Sequence, residues 1–249
     1  MTDTVVFQHG LGGGAEQVAQ NWPAGTGFRR ITQPCRGHDG TALGPARPFS
    51  IPMFAGDVLA SAPDEFVAAG ISMGAAIALN LACHHPERVR ALILIRPAWT
   101  FSAAPPNMQP IAEIAALLQR LPAVQAAVAF RIGDTGQRLA AESPDNFASL
   151  LGYAARPDAQ AFAQVLLDIA TQPPGVSLQQ VQALSLPCLI IGNEMDAVHP
   201  MSSAEVLAEA IPNARLIRVA PKAQDRTRHH AEICAAIAAF LAEHPWSPS

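Results

Sequence analysis

Charge is sparse in this chain of 249 residues: only 14% are Asp, Glu, Lys or Arg, and the formal net charge is −4. Such a balance supplies no basic field of the kind that a nucleic acid or an anionic bilayer requires, so neither partner is expected. Cysteine is scarce as well. Cys35, Cys83, Cys188 and Cys234 lie far apart with no Cys-x-x-Cys pair, which argues against a zinc site and against a disulfide framework, and no metal or organic cofactor is expected. There is no membrane-length run without polar residues. An apolar run begins within a few residues of Met1 without a basic or signal-like leader, so a cytoplasmic location is expected. What the chain has in quantity is apolar side chains, half of all residues, enough for one sizeable core or for a core with a smaller insertion.

Short β-rich runs recur at Thr4–Phe7, Phe28–Ile31, Glu65–Val67, Ala91–Ile95, Cys188–Ile191 and Leu216–Val219, the last four apolar enough to be buried on both faces. Helical patterns at 75–83, 204–210 and 231–241 alternate with them, as a parallel sheet with crossover helices demands. Between about Pro97 and Pro187 the strand signal stops. Ala- and Leu-rich stretches at 111–121, 123–130, 146–155 and 160–170 predict helices, with Asp145 and Asp158 placed as N-caps. The expectation is an α/β core from 1–97 and 187–249, holding a mostly parallel sheet of about six strands flanked by helices, with a helical cap insertion over 98–186.

Two glycine motifs compete for the chemistry. Gly10-Leu11-Gly12-Gly13-Gly14-Ala15 follows the first strand with dinucleotide-binding spacing. The acidic residue that would hold a ribose is missing, however, because the next strand runs into Thr32-Gln33-Pro34-Cys35. The second motif, Gly70-Ile71-Ser72-Met73-Gly74, lies between a strand and a helix, the context of a nucleophile elbow. A serine in so tight a bend needs flanking glycines, and the bend presents its hydroxyl at a helix N-terminus. The amide of Met73 then faces an oxygen that becomes negative, and the amide of Leu11, from the neighbouring loop, is the candidate second donor.

A reacting serine needs an imidazole to take its proton and a carboxylate to orient that imidazole. In this kind of fold the chain order is serine, acid, histidine. Asp196, in the loop after the strand ending at Ile191, is the first choice of acid, with Glu194 as the fallback. His229, beyond the final strand, is the expected base, with His230 a close competitor. The remaining histidines read as structural: His84 and His85 end a helix, His38 lies in a polar turn, His244 is in the tail, and His9 and His199 position loops by hydrogen bonding while lying near enough to touch substrate.

Taken together, these parts resemble the α/β-hydrolase superfamily, in its branch with a helical cap. "FQHGLGG" looks like the oxyanion-loop strand, "CRGHDGTA" resembles the Arg-Gly-His-Gly turn after the next strand, and "FSIPMFAGDVLA" is similar to the helix before the elbow strand. "GISMGAAIALNLACHHPERVRALILI" is the most specific stretch, "IGNEMDAVHP" looks like the acid loop and "HHAEICAAIAAFL" like the terminal helix. The resemblance implies hydrolysis through an acyl-enzyme, with Ser72 as nucleophile, His229 as base and Asp196 as orienting acid. His9, Gly10 and Trp99 are expected to line a pocket for a small to medium, apolar ester, lactone or thioester. Acyl transfer or C–C bond hydrolysis by the same triad, and a non-catalytic binding protein of this fold, are the alternatives. Two departures stand out. The family's N-terminal β-hairpin is missing, leaving an exposed sheet edge that a second copy of the chain is expected to cover. A charged segment, Lys222 to Arg228, also stands where the family places a Gly-His pair.

Overall fold

The computed structural model describes residues 3–243, so His244 lies outside the described residues. Six strands form one sheet: β1 (Thr4–Gln8), β2 (Arg29–Ile31), β3 (Phe66–Ile71), β4 (Val89–Ile95), β5 (Cys188–Gly192) and β6 (Ala214–Arg218). Their order is β2-β1-β3-β4-β5-β6 and every pairing is parallel. The α/β fold class expected from the alternation of strands and helices is the one observed. Helices α1 (Ala15–Gln20), α2 (Ile51–Leu59), α3 (Met73–His84), α10 (Met201–Ala210) and α11 (Arg226–Glu243) supply the crossovers and the C-terminus.

Alternation along the strands divides the core in two, because successive strand side chains point to opposite faces. Val5, Phe7, Val67, Ala69, Ile93 and Ile191 pack with Ile233, Ile237 and Phe240 of α11. Val6, Ala68, Leu92, Leu94 and Ile190 pack with α2 and α3 on the other face. Strands β3, β4 and β5 are almost wholly buried, as their unbroken apolar runs predict, but β6 is half-buried. Its position at the sheet edge, paired only with β5, accounts for that difference.

Between β4 and β5 lie a 3₁₀ turn at Pro106–Met108 and helices α4 (Gln109–Arg120), α5 (Ala123–Ile132), α6 (Asp134–Glu142), α7 (Pro144–Ala154), α8 (Ala159–Thr171) and α9 (Leu178–Gln182). Neither expected aspartate cap forms. Asp158 makes no capping hydrogen bond and pairs with Arg156 instead. Asp145 sits inside the first turn of α7, where its carboxylate binds Lys222 and Arg226. No helix among the described residues is long and apolar enough to cross a membrane.

The topology sets the place of the chemistry. The chain leaves β1 toward β2 on one side and returns to β3 on the other, so the C-terminal ends of β1 and β3 form a switch point where loops diverge and ligands of open α/β sheets bind. Register aligns Gln8 with Gly70, Ile71 with Ile95, and Ile95 with Ile191. The loops opening with His9, Ser72, Arg96 and Asn193 therefore stand side by side along one edge.

Glycine is indispensable within the elbow and dispensable at Gly56. A Cβ on Gly70 would lie 2.0 Å from the carbonyl of Gly74, and one on Gly74 would lie 2.3 Å from the carbonyl oxygen of Gln8. Gly56, exposed on α2, has nothing within 4 Å. Gly70→Ala should therefore lower unfolding stability by at least about 2 kcal/mol through backbone overlap, while Gly56→Ala should raise it by about 0.5–1 kcal/mol through helix propensity. Denaturant melts of the two variants check this, and equal effects of the two substitutions would contradict it.

Candidate functional site

Ser72 follows β3 directly and has φ 55° and ψ −112°, a left-handed backbone conformation that costs about 1–3 kcal/mol for a residue with a side chain. The turn is held from both sides. The N–H of Ser72 donates to the carbonyl of Ile95 at 2.9 Å, and its own carbonyl accepts from Ala75 at 2.9 Å. Ser72 stands at the N-cap of α3, yet its hydroxyl makes no capping bond. It donates instead to Nε2 of His199 at 2.7 Å.

His199 comes from the loop after β5, three residues beyond Asp196. That loop turns sharply at Met195, whose φ is 58°. Asp196 Oδ1 accepts the backbone N–H of His199 at 3.0 Å and its ring Nδ1–H at 2.8 Å. The two bonds fix both the position and the tautomer of the imidazole: with the proton on Nδ1, Nε2 is left as the acceptor for Ser72. Asp196 Oδ2 accepts from Nε and Nη2 of Arg96, at 2.8 and 2.5 Å. Arg96, with φ 50°, follows β4, and its N–H donates to the carbonyl of Ile191 at 2.7 Å.

Burial sharpens the electrostatics. Burial alone would raise the Asp196 carboxyl, but His199 and Arg96 overcome it and hold the group well below the carboxylate range. For His199, burial lowers the imidazole most strongly; Asp196 raises it, and Arg96, whose Nη2 lies 3.2 Å from Nδ1, lowers it again. The net direction is downward, so the ring is neutral at neutral pH. A hydroxyl bonded to a neutral imidazole, itself oriented by a carboxylate, has the arrangement that lets an oxygen lose its proton as it attacks.

The expected base is placed elsewhere. His229 lies in the first turns of α11, is 1% exposed, and donates Nδ1–H to the carbonyl of Ala220 at 2.8 Å. His230 binds Oδ1 of Asn21 at 2.9 Å. Neither is hydrogen bonded to Ser72. Lys222 to Gln224 form a turn and Arg226 to Arg228 begin α11, which places His230 beside the end of α1. The exposed Glu194 is likewise apart from the imidazole that Asp196 binds. Sequence reasoning treated His199 as a loop-positioning residue and did not consider Arg96. The signal that could have found the first was Asp-x-x-His itself, a spacing at which one carboxylate reaches both the amide and the ring of the later residue.

The glycine loop is secured from several directions. The N–H of Gly10 donates to Gln17 Oε1 at 2.7 Å, that of Gly12 to His38 Nε2 at 2.9 Å, and that of Gly13 to the carbonyl of Gly10 at 2.9 Å. The Tyr153 hydroxyl of α7 donates to the carbonyl of Leu11 at 3.1 Å. The Leu11 peptide is thus fixed between anchored neighbours, and Met73, first residue of α3, has an amide with no place in the helical ladder. His9 is fully buried, and both its ring nitrogens are engaged by backbone, Nδ1 with the carbonyl of Gly10 and Nε2 with the N–H of Cys35. Its ring thus ties this loop to the segment after β2. His38, expected in a polar turn, is also fully buried, and burial together with His9 lowers it to about 3. Trp99 is 2% exposed among the core residues, with its indole N–H unpartnered. The insertion reaches the same loops: Asn146 of α7 accepts the N–H of Val198 at 3.0 Å, and Asn107 donates to the carbonyl of Val198 at 2.7 Å. Among the described residues no group of three or more His, Cys, Asp or Glu could hold a metal ion.

Comparison with known proteins agrees with this architecture. A family model described as the alpha/beta hydrolase fold matches residues 3–223. A pimeloyl-[acyl-carrier protein] methyl ester esterase from Aromatoleum aromaticum is 28% identical, with 94% of this chain and 95% of the relative covered. Among solved structures, an enol-lactonase from Burkholderia xenovorans superposes with a TM-score of 0.70 at 21% identity over 97% of this chain and 92% of that one. A thermophilic esterase from Thermogutta terrifontis gives 0.71 at 20% identity over 97% and 90%.

The geometry assigns His199 a neutral, Nδ1-protonated ring. Nitrogen NMR of labelled histidine should show that tautomer at neutral pH and a titration midpoint below the ordinary imidazole value of about 6.5. Arg96→Gln should move the midpoint upward, because a nearby positive charge is removed. A midpoint above the ordinary value, or one unmoved by the substitution, would contradict the assignment.

Proposed function

The chain belongs to the α/β hydrolase fold family, and we propose that it is a serine hydrolase that cleaves a small to medium, largely apolar carboxylic ester, lactone or thioester through an acyl-enzyme on Ser72. One observation carries this reading: the chain of bonds from Ser72 Oγ through His199 to Asp196, 2.7 and 2.8 Å long. As Ser72 Oγ attacks the carbonyl carbon, its proton passes to His199 Nε2. The tetrahedral oxyanion is stabilised by the amides of Met73 and Leu11. When the carbon–oxygen or carbon–sulfur bond breaks, His199 returns that proton to the leaving alcohol or thiol. A water molecule then attacks the acyl-enzyme, with its proton taken by the same nitrogen, and collapse of the second intermediate releases the acid and restores Ser72. Asp196 stabilises the transient imidazolium, and Arg96 keeps Asp196 ionised and in place.

The substrate class is supported by the apolar composition of the segment between β4 and β5 and by the ester and lactone activities named for the similar proteins. Gly10 and Trp99 stay in this reading as neighbours of the acyl group, and His9 as the support of the oxyanion loop.

Covalent labelling by a fluorophosphonate, scored by intact mass, tests the nucleophile. The wild type is expected to gain one adduct and Ser72→Ala none; labelling that survives the substitution, or a folded wild type that does not label, would overturn the proposal. The pH profile tests the base. Because the reaction needs neutral His199 and its pKa is lowered, kcat/KM for a short-chain ester should hold down to about pH 6.5 and fall only below it. An acid limb with its midpoint above neutrality would contradict the assignment.

A further inference from the structure

Beside the Arg96–Asp196 pair lies a cavity of about 170 Å³, between α1, α11 and the C-terminal ends of β3 and β4. Its polar lining includes Asn21, Arg96, Lys222, Arg226, His229 and His230, over a floor formed by Ile71, Ile95 and Ile233. No carboxylate is among its lining residues. Two carboxylates reach these cations from outside the lining: Asp196 binds Arg96 at 2.5 Å, and Asp145 binds Lys222 at 2.8 Å and Arg226 at 3.1 Å. Arg96, Lys222 and Arg226 thus face two carboxylates, and one of those carboxylates is shared with His199. The excess positive charge is enclosed by protein on the Arg96 side, where that residue is 8% exposed.

We propose that this cavity binds a free small oxyanion, of the phosphate, sulfate or carboxylate class, held by Lys222, Arg226 and the part of the Arg96 guanidinium that Asp196 does not engage. An anion of this kind fits a cavity with several cationic donors and few competing acceptors, and charge-assisted bonds are the strong ones in such a setting. The titratable groups register the same field. Burial and then Arg96 lower the Lys222 ammonium, and Asp145 only partly offsets them. His229 is lowered to about 4, first by burial and then by Arg96, His230 and Lys222, against the raising effect of its bond to Ala220. Ser72 is not part of the lining, so the ligand is a separate anion rather than a group on an acyl substrate, and the inference does not depend on Ser72 being a nucleophile.

The test is titration of histidine-labelled protein with inorganic phosphate at constant ionic strength, with chloride as the balancing anion. The imidazole signals of His229 and His230 should shift saturably while those of His84 and His85, at the far end of α3, stay fixed. Lys222→Gln with Arg226→Gln should weaken the apparent affinity by about tenfold or more, as the loss of charged contacts implies. Should the double variant fold poorly, the wild type serves alone: phosphate, but not chloride, should raise its thermal midpoint saturably. An unsaturable shift shared by all four histidines, an affinity unchanged in a folded double variant, or a thermal midpoint that responds equally to both salts would overturn the proposal.

Discussion

A carboxylate 8% exposed at the edge of a parallel sheet cannot be left to itself, because an unpaired buried charge costs several kcal/mol, and Asp196 shows what its pairing requires. One oxygen takes two bonds from His199 and the other takes two from Arg96. Arg96 follows β4, Ser72 follows β3, and Asp196 and His199 follow β5. The in-phase ends of three neighbouring strands are therefore tied together by one charge. The strained conformation of Ser72 fits this frame, since its amide is fixed to Ile95 and its hydroxyl to the imidazole that Asp196 holds.

An imidazole only three residues from the carboxylate that binds it has physical consequences. Asp196 and His199 share one short loop, so their mutual geometry is set by a local turn and not by the packing of a distant segment. Asn146 and Asn107 clamp Val198, between the two, to the helical segment that joins β4 to β5. The region after β6 is freed from holding an imidazole against the serine. In that region the chain carries Lys222, Arg226, His229 and His230, whose side chains line a cavity instead.

Much of this was legible in the residues. Gly70-Ile71-Ser72-Met73-Gly74 stood between an apolar strand and a small-residue helix, and only a tight elbow needs glycine at both places. The unbroken apolar runs of β3, β4 and β5 announced burial on both faces. Helix α6 was not legible, because its Gly136 and its charges mask the periodicity, and that glycine is required by contact: a Cβ there would lie 1.9 Å from the carbonyl of Phe130. The partner of Ser72 was hidden for a different reason. Chain order pointed beyond β6 and outweighed the Asp-x-x-His spacing at 196–199, whose use depends on the left-handed turn at Met195 and on the pairing of Asp196 with Arg96. His38 looked like a turn residue because its partner, Gly12, is 26 residues away.

The claim that His199 activates Ser72 is tested most directly by the rate of covalent labelling in two single variants of verified fold. His199→Ala should slow fluorophosphonate labelling of Ser72 by at least about 10³-fold, as loss of the general base does in serine hydrolases, while His229→Ala should label within a few-fold of the wild type. The reverse pattern, with labelling lost in His229→Ala and kept in His199→Ala, would contradict the account and return the base to the segment beyond β6.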